Sequence, residues 1–311
     1  MATDRAAQEA AMSDEALAEL IREEERREFD AMRSHRGVRA AGLLFRALSR
    51  VAPPLAFRAI YRMARTPRRF RPHPREEELL ATATPLEFET SFGKIAAWTW
   101  GEGPTVHLVH GWQGRGSQLA ELAEPIAALG LRVLVWDGPA HGRSDGKIAS
   151  APEFCQAIRE VAAIDGQPWA VVAHSMGTIA STLASWGDYH PTRRVYIGTA
   201  HEPRKPLRML NQVFGFSDEI IGRFKSALVA QGTPKITWDV LAAGALPPGM
   251  ADPLLLIHDR GDREADVATA VAFQKVWPGA RLMLTNGLGH NAVLRDPAVV
   301  QAGVEFLREG L

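Results

Sequence analysis

The chain has 311 residues, of which 46% are hydrophobic and 23% charged, and its formal net charge is zero. That is ordinary globular composition, enough for one large α/β domain with extensions or two smaller domains, and the neutral balance excludes bulk attraction to nucleic acid. The single cysteine, Cys155, excludes an intramolecular disulfide, fits a reducing compartment and reads as a small core residue.

Residues 1–36 are rich in Ala, Glu and Arg with a thin apolar stripe of Leu17, Leu20 and Ile21, a pattern that predicts a helix with a disordered start. There is no basic start followed by an apolar core, so the N-terminus does not read as a signal peptide. No stretch of the chain approaches the roughly 20 apolar residues of a membrane span, and the expected location is cytoplasmic. The charge then changes sign. Twelve arginines and no acid lie between Ala31 and Arg75. Val38, Ala41, Leu44, Phe45, Leu48 and Val51 recur at helical spacing, as do Leu55, Ala59, Ile60 and Met63, and Pro53-Pro54 separates the two sets. The reading for residues 1–84 is a helical arm followed by an Arg/Pro-rich linker. Basic amphipathic helices bind acidic lipid surfaces, but the favoured expectation is that the apolar stripes pack on the rest of the protein or on a second subunit, with arginines outward, and pairing of the arm with the acidic 1–30 segment is a further alternative.

From Pro85 the period changes. Leu86 and Phe88, then Ile95 to Trp100, predict two strands around the Phe92-Gly93 turn. Six short apolar runs follow: Val106–Val109, Val133–Trp136, Trp169–Ala173, Val195–Ile197, Leu254–Ile257 and Leu282–Leu284. Helical patterns alternate with them at about Ser117–Leu129, Pro152–Ile164, Met176–Trp186, Ala265–Val276 and Pro297–Leu307. Such alternation predicts an α/β domain over 85–311, built on a mostly parallel sheet with helices on both faces. Residues 201–252 break the rhythm with short helical pieces only, around Pro206–Phe214, Asp218–Ala230 and Trp238–Ala243, and are expected to form a small helical lid. Its aromatics, Phe214, Phe216, Phe224 and Trp238, fit either an acyl pocket or the lid's own small core.

The chemistry centres on Ala173-His174-Ser175-Met176-Gly177, where an apolar run ends at a serine among small residues and a helical pattern begins at once. This is the pattern of a nucleophile elbow, which lifts a serine hydroxyl above a sheet edge. A serine needs a base, and in this arrangement the order along the chain is serine, acid, histidine. His290, in the Gly-rich Thr285-Asn-Gly-Leu-Gly289-His290-Asn291 loop after the last strand, is the candidate base. The candidate acid is Asp262, four residues past a strand; Asp259, Glu264, Asp266 and the more distant Glu202 compete with it. Oxyanion donors are expected from the backbone N–H of Met176 and, in the His110-Gly111-Trp112 loop, of Trp112. Asp137 and His141 read as turn residues, and neither a metal-ligand spacing nor a phosphate loop is present.

These segments, with Asp137-Gly-Pro139-Ala-His141-Gly142-Arg-Ser144 and His258-Asp259-Arg-Gly-Asp262, occur in the order and at the spacing of the α/β-hydrolase superfamily, which the chain resembles from about Pro85 to Leu307. The arm before the fold is similar to that of bacterial esterase-like members. The resemblance implies an eight-stranded sheet, a Ser175–His290–Asp262 triad, no cofactor, and a small-molecule ester or thioester as substrate. It departs from the family at Ala173, where the first elbow glycine is usual, and at Asp259, where glycine is frequent. The expected function is cleavage of a carboxylic ester or thioester through an acyl-enzyme. An acyltransferase or carbon–carbon bond hydrolase on the same triad is the alternative within enzymes, and a non-catalytic ligand-binding member of the fold the alternative outside them. The sequence sets no oligomeric state.

Overall fold

A computed structural model describes residues 36–200, 214–230 and 249–311, together with residues 19, 23, 211, 246 and 247. From Arg36 the described residues begin with three helices: α1 (Arg36–Val51), α2 (Pro53–Ala64) and α3 (Pro74–Leu80). Pro53 and Pro54 occupy the first turn of α2, where a missing N–H costs nothing, and so fix the corner between α1 and α2. The sequence reading treated the α3 segment as linker, yet Pro74 and the acids Glu76 and Glu77 in its first turn are helix-start signals.

Eight strands follow: β1 (Thr84–Thr90), β2 (Gly93–Trp100), β3 (Thr105–Val109), β4 (Arg132–Trp136), β5 (Ala170–His174), β6 (Arg193–Ile197), β7 (Leu254–Asp259) and β8 (Arg281–Thr285). They form one sheet in the order β1-β2-β4-β3-β5-β6-β7-β8. β1 and β2 pair antiparallel to each other, β2 pairs antiparallel to β4, and every other pairing is parallel. The period-2 rule of a strand shows in β4: Leu134 and Trp136 enter one core layer, Val133 and Val135 the other.

Helices α4 (Ala123–Ala127), α5 (Ala151–Asp165), α6 (Met176–Ala184), α8 (Val267–Val276) and α10 (Pro297–Arg308) cover the two faces, with α9 (Gly289–Ala292) a single turn after β8. Phe154, Ile158 and Val161 of α5 pack with Leu183 of α6 and Phe273 of α8; Ile126 of α4 and Val299 and Phe306 of α10 pack on the opposite face. The helix expected over 117–129 is instead a 3-10 helix, Gly116–Leu122, running into the short α4. Pro125 is the physical reason, because it has no N–H to extend an α-helical ladder through the segment.

Of the segment expected to be a lid, helix α7 (Asp218–Ala230) is described, and its bounds coincide with the predicted ones. The pieces expected at Pro206–Phe214 and Trp238–Ala243 lie largely or wholly outside the described residues. Phe216 and Ile220 bury against Phe45, Ala56 and Ile60 of the first two helices, and Tyr61 meets Phe224 edge-on at 5.3 Å. Phe214, Phe216 and Phe224 therefore pack against the arm in a third, small core, an outcome that neither expectation for the aromatics contained, while Trp238 lies outside the described residues.

Candidate active site

Four loops meet at the carboxyl ends of the central strands. β3 lies between β4 and β5, and its last residue, Val109, pairs with Ala173 of β5. The loop from His110 and the turn at Ser175 therefore leave the sheet side by side. Where parallel connections run to opposite faces of a sheet, a crevice forms. A pocket of about 330 Å³ opens there, and its walls include Gly111, Trp112, Gln113, His174, Ser175 and His290.

Ser175 sits between β5 and α6 with φ 52° and ψ −124°, a backbone state that L-residues adopt only under constraint. Its N–H still bonds Ile197 of β6 at 3.1 Å, and its carbonyl accepts from the N–H and Oγ1 of Thr178 at 2.9 and 2.7 Å. Room for the turn comes from two glycines. A Cβ on Gly177 would lie 2.6 and 2.7 Å from the carbonyl oxygens of Val109 and His110; one on Gly111 would lie 2.7 Å from Ser175 Cβ. Met176 opens α6, so its N–H is among those that a helix start leaves without a partner in the helix.

His290 Nδ1 lies 2.6 Å from Asp262 Oδ2. The other carboxylate oxygen of Asp262 accepts from the N–H groups of Glu264 and Ala265 at 2.8 and 2.9 Å. Burial alone would raise the Asp262 pKa, but the His290 hydrogen bond and charge, with the Ala265 N–H, outweigh it and hold the carboxyl below its ordinary value. The neighbouring histidine of the elbow, His174, sets its Nε2 2.9 Å from the His290 carbonyl oxygen. A carbonyl oxygen only accepts, so the ring carries a proton at Nε2. Burial first, then His290, push its pKa down to about 3. His290 also rests against Gly198, where φ is +56° and a Cβ would meet Nδ1 at 3.2 Å. The sequence reading did not single out Gly198; its one signal is a glycine just after a strand.

The competitors for the acid role part company here. Asp259 is fully buried, but its Oδ2 accepts from Thr285 Oγ1 at 2.8 Å and from the Leu288 N–H at 3.1 Å. It ties the end of β7 to the loop that carries His290 and has no hydrogen bond to the imidazole itself. Asp266 caps α8 by accepting from the Ala268 N–H. Glu264 stands at the pocket wall, with Oε2 3.8 Å from His290 Nε2. Glu202 lies outside the described residues.

The loop after β3 is held by two more buried histidines. Gly138 N–H donates to His110 Nε2 at 2.8 Å, and the Gln113 N–H donates to His141 Nε2 at 3.0 Å. Their Nδ1 atoms face the carbonyls of Gly111 and Pro139, both within hydrogen-bond distance. An imidazole that accepts at one nitrogen and donates at the other is neutral. Burial lowers the two pKa values to match, to about 4 for His110 and about 3 for His141. Gln113 is held at φ 55° without being a glycine, so no sequence signal marked it. Asp137 closes the frame, accepting from the N–H groups of Gly116 and Arg143 at 2.7 Å each.

The arm also reaches this loop. Glu76 of α3 grips Arg115 with two hydrogen bonds, at 2.6 and 2.7 Å, and accepts from Ser117 Oγ at 2.7 Å. Phe70, from the Arg/Pro-rich segment, forms part of the pocket wall. Neither link was visible in the sequence, because both depend on how the arm folds back.

Comparison with known proteins bears on the same region. Residues 103–303 match the family model described as serine aminopeptidase, S33. A monoglyceride lipase homolog of monkeypox virus is 33% identical over an alignment of 88 residues that covers 26% of this chain and 32% of that protein, so the match spans about a third of the curated relative's length. Among solved structures, an esterase of Pyrococcus furiosus superposes with a TM-score of 0.57 at 20% identity, covering 78% of this chain and 97% of its own. A bacterial membrane phospholipase A superposes at 0.58 with 15% identity, covering 86% and 96%. At these identities the two structures establish a shared α/β-hydrolase fold.

Proposed function

The chain belongs to the serine aminopeptidase S33 family of α/β hydrolases, and from that premise we propose that it is a serine hydrolase that cleaves a carboxylic ester or thioester. The observation that carries the proposal is the Asp262–His290 hydrogen bond of 2.6 Å beside the strained Ser175, with His290 and Ser175 in the wall of one pocket.

In this reading Asp262 holds Nδ1 of His290 protonated, so that Nε2 is the nitrogen that accepts the Ser175 proton. Ser175 Oγ attacks the substrate carbonyl, and the proton taken by Nε2 is then given to the leaving alcohol or thiol. Water repeats the sequence on the acyl-enzyme and frees the acid. The negative charge on the carbonyl oxygen falls to the N–H groups of Met176 and Trp112. Two supports favour Trp112: its residue lines the pocket, and the His110 and His141 struts hold its loop rigid before substrate arrives. Residues 201–252, of which α7 is described, serve in this account as the lid, and residues up to 84 as a helical arm.

The relatives are named a monoglyceride lipase homolog, an esterase and a membrane phospholipase A, which favours an ester substrate here. Steady-state hydrolysis of short and long p-nitrophenyl esters tests the proposal. Wild type is expected to turn over at least one of them, with His290→Ala and Ser175→Ala each slower by several orders of magnitude. A variant lacking Ser175 that keeps the wild-type rate would remove the proposal, and transfer of the acyl group to added alcohol in preference to water would redirect it to an acyltransferase.

A further inference from the structure

Much of both apolar stripes of the arm faces away from the protein. Among the described side chains of α1, Gly42, Phe45 and Ser49 are the buried positions, whereas Leu44 and Val51 are 73% and 85% exposed. In α2 Ala56 and Ile60 are buried, whereas Leu55 and Met63 are 57% and 48% exposed. Leu43, Leu44, Ala47, Arg50 and Val51 share one side of α1 at helical spacing, opposite the buried side. Among the described residues, six of the ten exposed large hydrophobic side chains lie between Leu43 and Phe70.

The same surface is basic. Arg50, Arg58, Arg62, Arg68 and Arg71 are exposed, no Asp or Glu occurs between positions 31 and 75, and no ion pair among the described residues neutralises these five. From this juxtaposition we propose that the α1–α2 hairpin and the segment after it form a docking surface for an anionic phospholipid bilayer, which delivers lipid acyl esters to the Ser175 pocket.

Charge complementarity selects this occupant. Leucine, valine and methionine side chains insert at the acyl boundary, while arginines at the same level pair with lipid phosphates and extend their stems along the interface. An anionic surface adds about fivefold in partition per nearby arginine. A second copy docked about a two-fold axis would set the same arginines against one another, so self-association is opposed. Among the described residues no helix is long and apolar enough to cross a membrane.

The docking surface continues into the pocket. Arg69 donates to the carbonyls of Gly142 and Gly146 at 2.9 and 3.1 Å, fixing the segment, and the adjacent Phe70 is 55% exposed while also lining the pocket that holds Ser175. An acyl chain drawn from the bilayer at this edge would meet Phe70 first. Binding of the bilayer needs no chemistry at Ser175; the assignment of lipid esters as substrate rests on the ester-hydrolase reading above.

The test is co-sedimentation of the full chain carrying Ser175→Ala with vesicles of phosphatidylcholine alone and of phosphatidylcholine and phosphatidylglycerol in equal parts. The expected result is at least about tenfold stronger partition onto the anionic vesicles. In the same background, L43Q/L44Q/L55Q and R50Q/R58Q/R62Q are each expected to lose about tenfold or more, with unchanged circular dichroism, since every altered side chain is exposed. Equal or absent binding by the parent protein overturns the proposal, and so does wild-type binding by both triple variants. A dimer detected by light scattering and lost in the leucine variant would place a second copy on this face and likewise overturn it. Because the protein used is catalytically blocked, vesicle binding without ester hydrolysis by the unmodified enzyme would refute the function while leaving the surface intact.

Discussion

A few atoms decide the account at the scale of single residues. Gly177 has backbone oxygens at 2.6 and 2.7 Å from where a Cβ would stand, and backbone cannot swing aside as a flexible side chain can. Gly177→Ala is therefore expected to shift the elbow against β3 and lower kcat by roughly 100-fold, the scale of loss from a misplacement of about 1 Å; kinetics beside a thermal melt separate this from unfolding. Asp262→Asn makes a sharper prediction. The amide can keep its oxygen on the Glu264 and Ala265 N–H groups, but its NH₂ then faces His290 Nδ1 and forces the proton to Nε2. A loss on the order of 10⁴ in kcat is expected with the fold retained. These residues were legible because the elbow and the His loop carry their chemistry in local patterns. Gln113, with φ 55°, and the His174 bond to the His290 carbonyl were not, because each is created by a partner distant in sequence.

Among the elements, the sheet was legible and the arm only in part. Strands β3 to β8 followed from short apolar runs, since a strand covered on both faces must be apolar throughout, and β1 and β2 from the change of period around the Phe92-Gly93 turn. The arm's helices were also readable, but their orientation was not. The choice of Gly42 and Ser49 as contact positions depends on how closely α1 approaches its neighbours, and small residues there carry no hydrophobic signal. The 3-10 stretch before α4 was hidden because its period differs little from an α-helix over one turn. Through the grip of Glu76 on Arg115, α3 fixes the far end of the loop that holds Trp112. The two side chains are only 9% and 11% exposed, so Glu76→Gln leaves a buried guanidinium without its counter-charge. A stability loss of about 3 kcal/mol is expected in urea denaturation. Turnover should fall with it. A variant as stable and active as wild type would show that α3 has no hold on the site.

For the molecule as a whole, four buried histidines set the response to acid. His107, His110, His141 and His174 are held neutral, mainly by burial, with pKa values lowered from 6.5 to about 4, 4, 3 and 3. The unfolded chain binds protons at these groups near pH 6.5, whereas the folded chain does not until about pH 4 or below. Stability is therefore full above pH 6.5 and is lost as the pH falls toward 4, by up to about 1.4 kcal/mol per pH unit for each histidine. Asp262, whose folded pKa is lowered, adds a loss of the same sign below the ordinary carboxylate range. Urea midpoints at pH 7, 6 and 5 are expected to fall steadily, and His107→Leu, which removes a ring with no hydrogen-bond partner at either nitrogen, should flatten the slope. A pH-independent midpoint would contradict the burial assigned to these rings. The sheet order, the paired crevice loops and the inward histidines all converge on one hydroxyl, and the direct measurement is covalent. Intact-protein mass spectrometry after treatment with a fluorophosphonate should show a single adduct, mapped by peptide digestion to Ser175 and missing in Ser175→Ala and, at the same exposure, in His290→Ala. No adduct on the folded wild-type protein, or an adduct on another serine that survives both substitutions, would contradict the account.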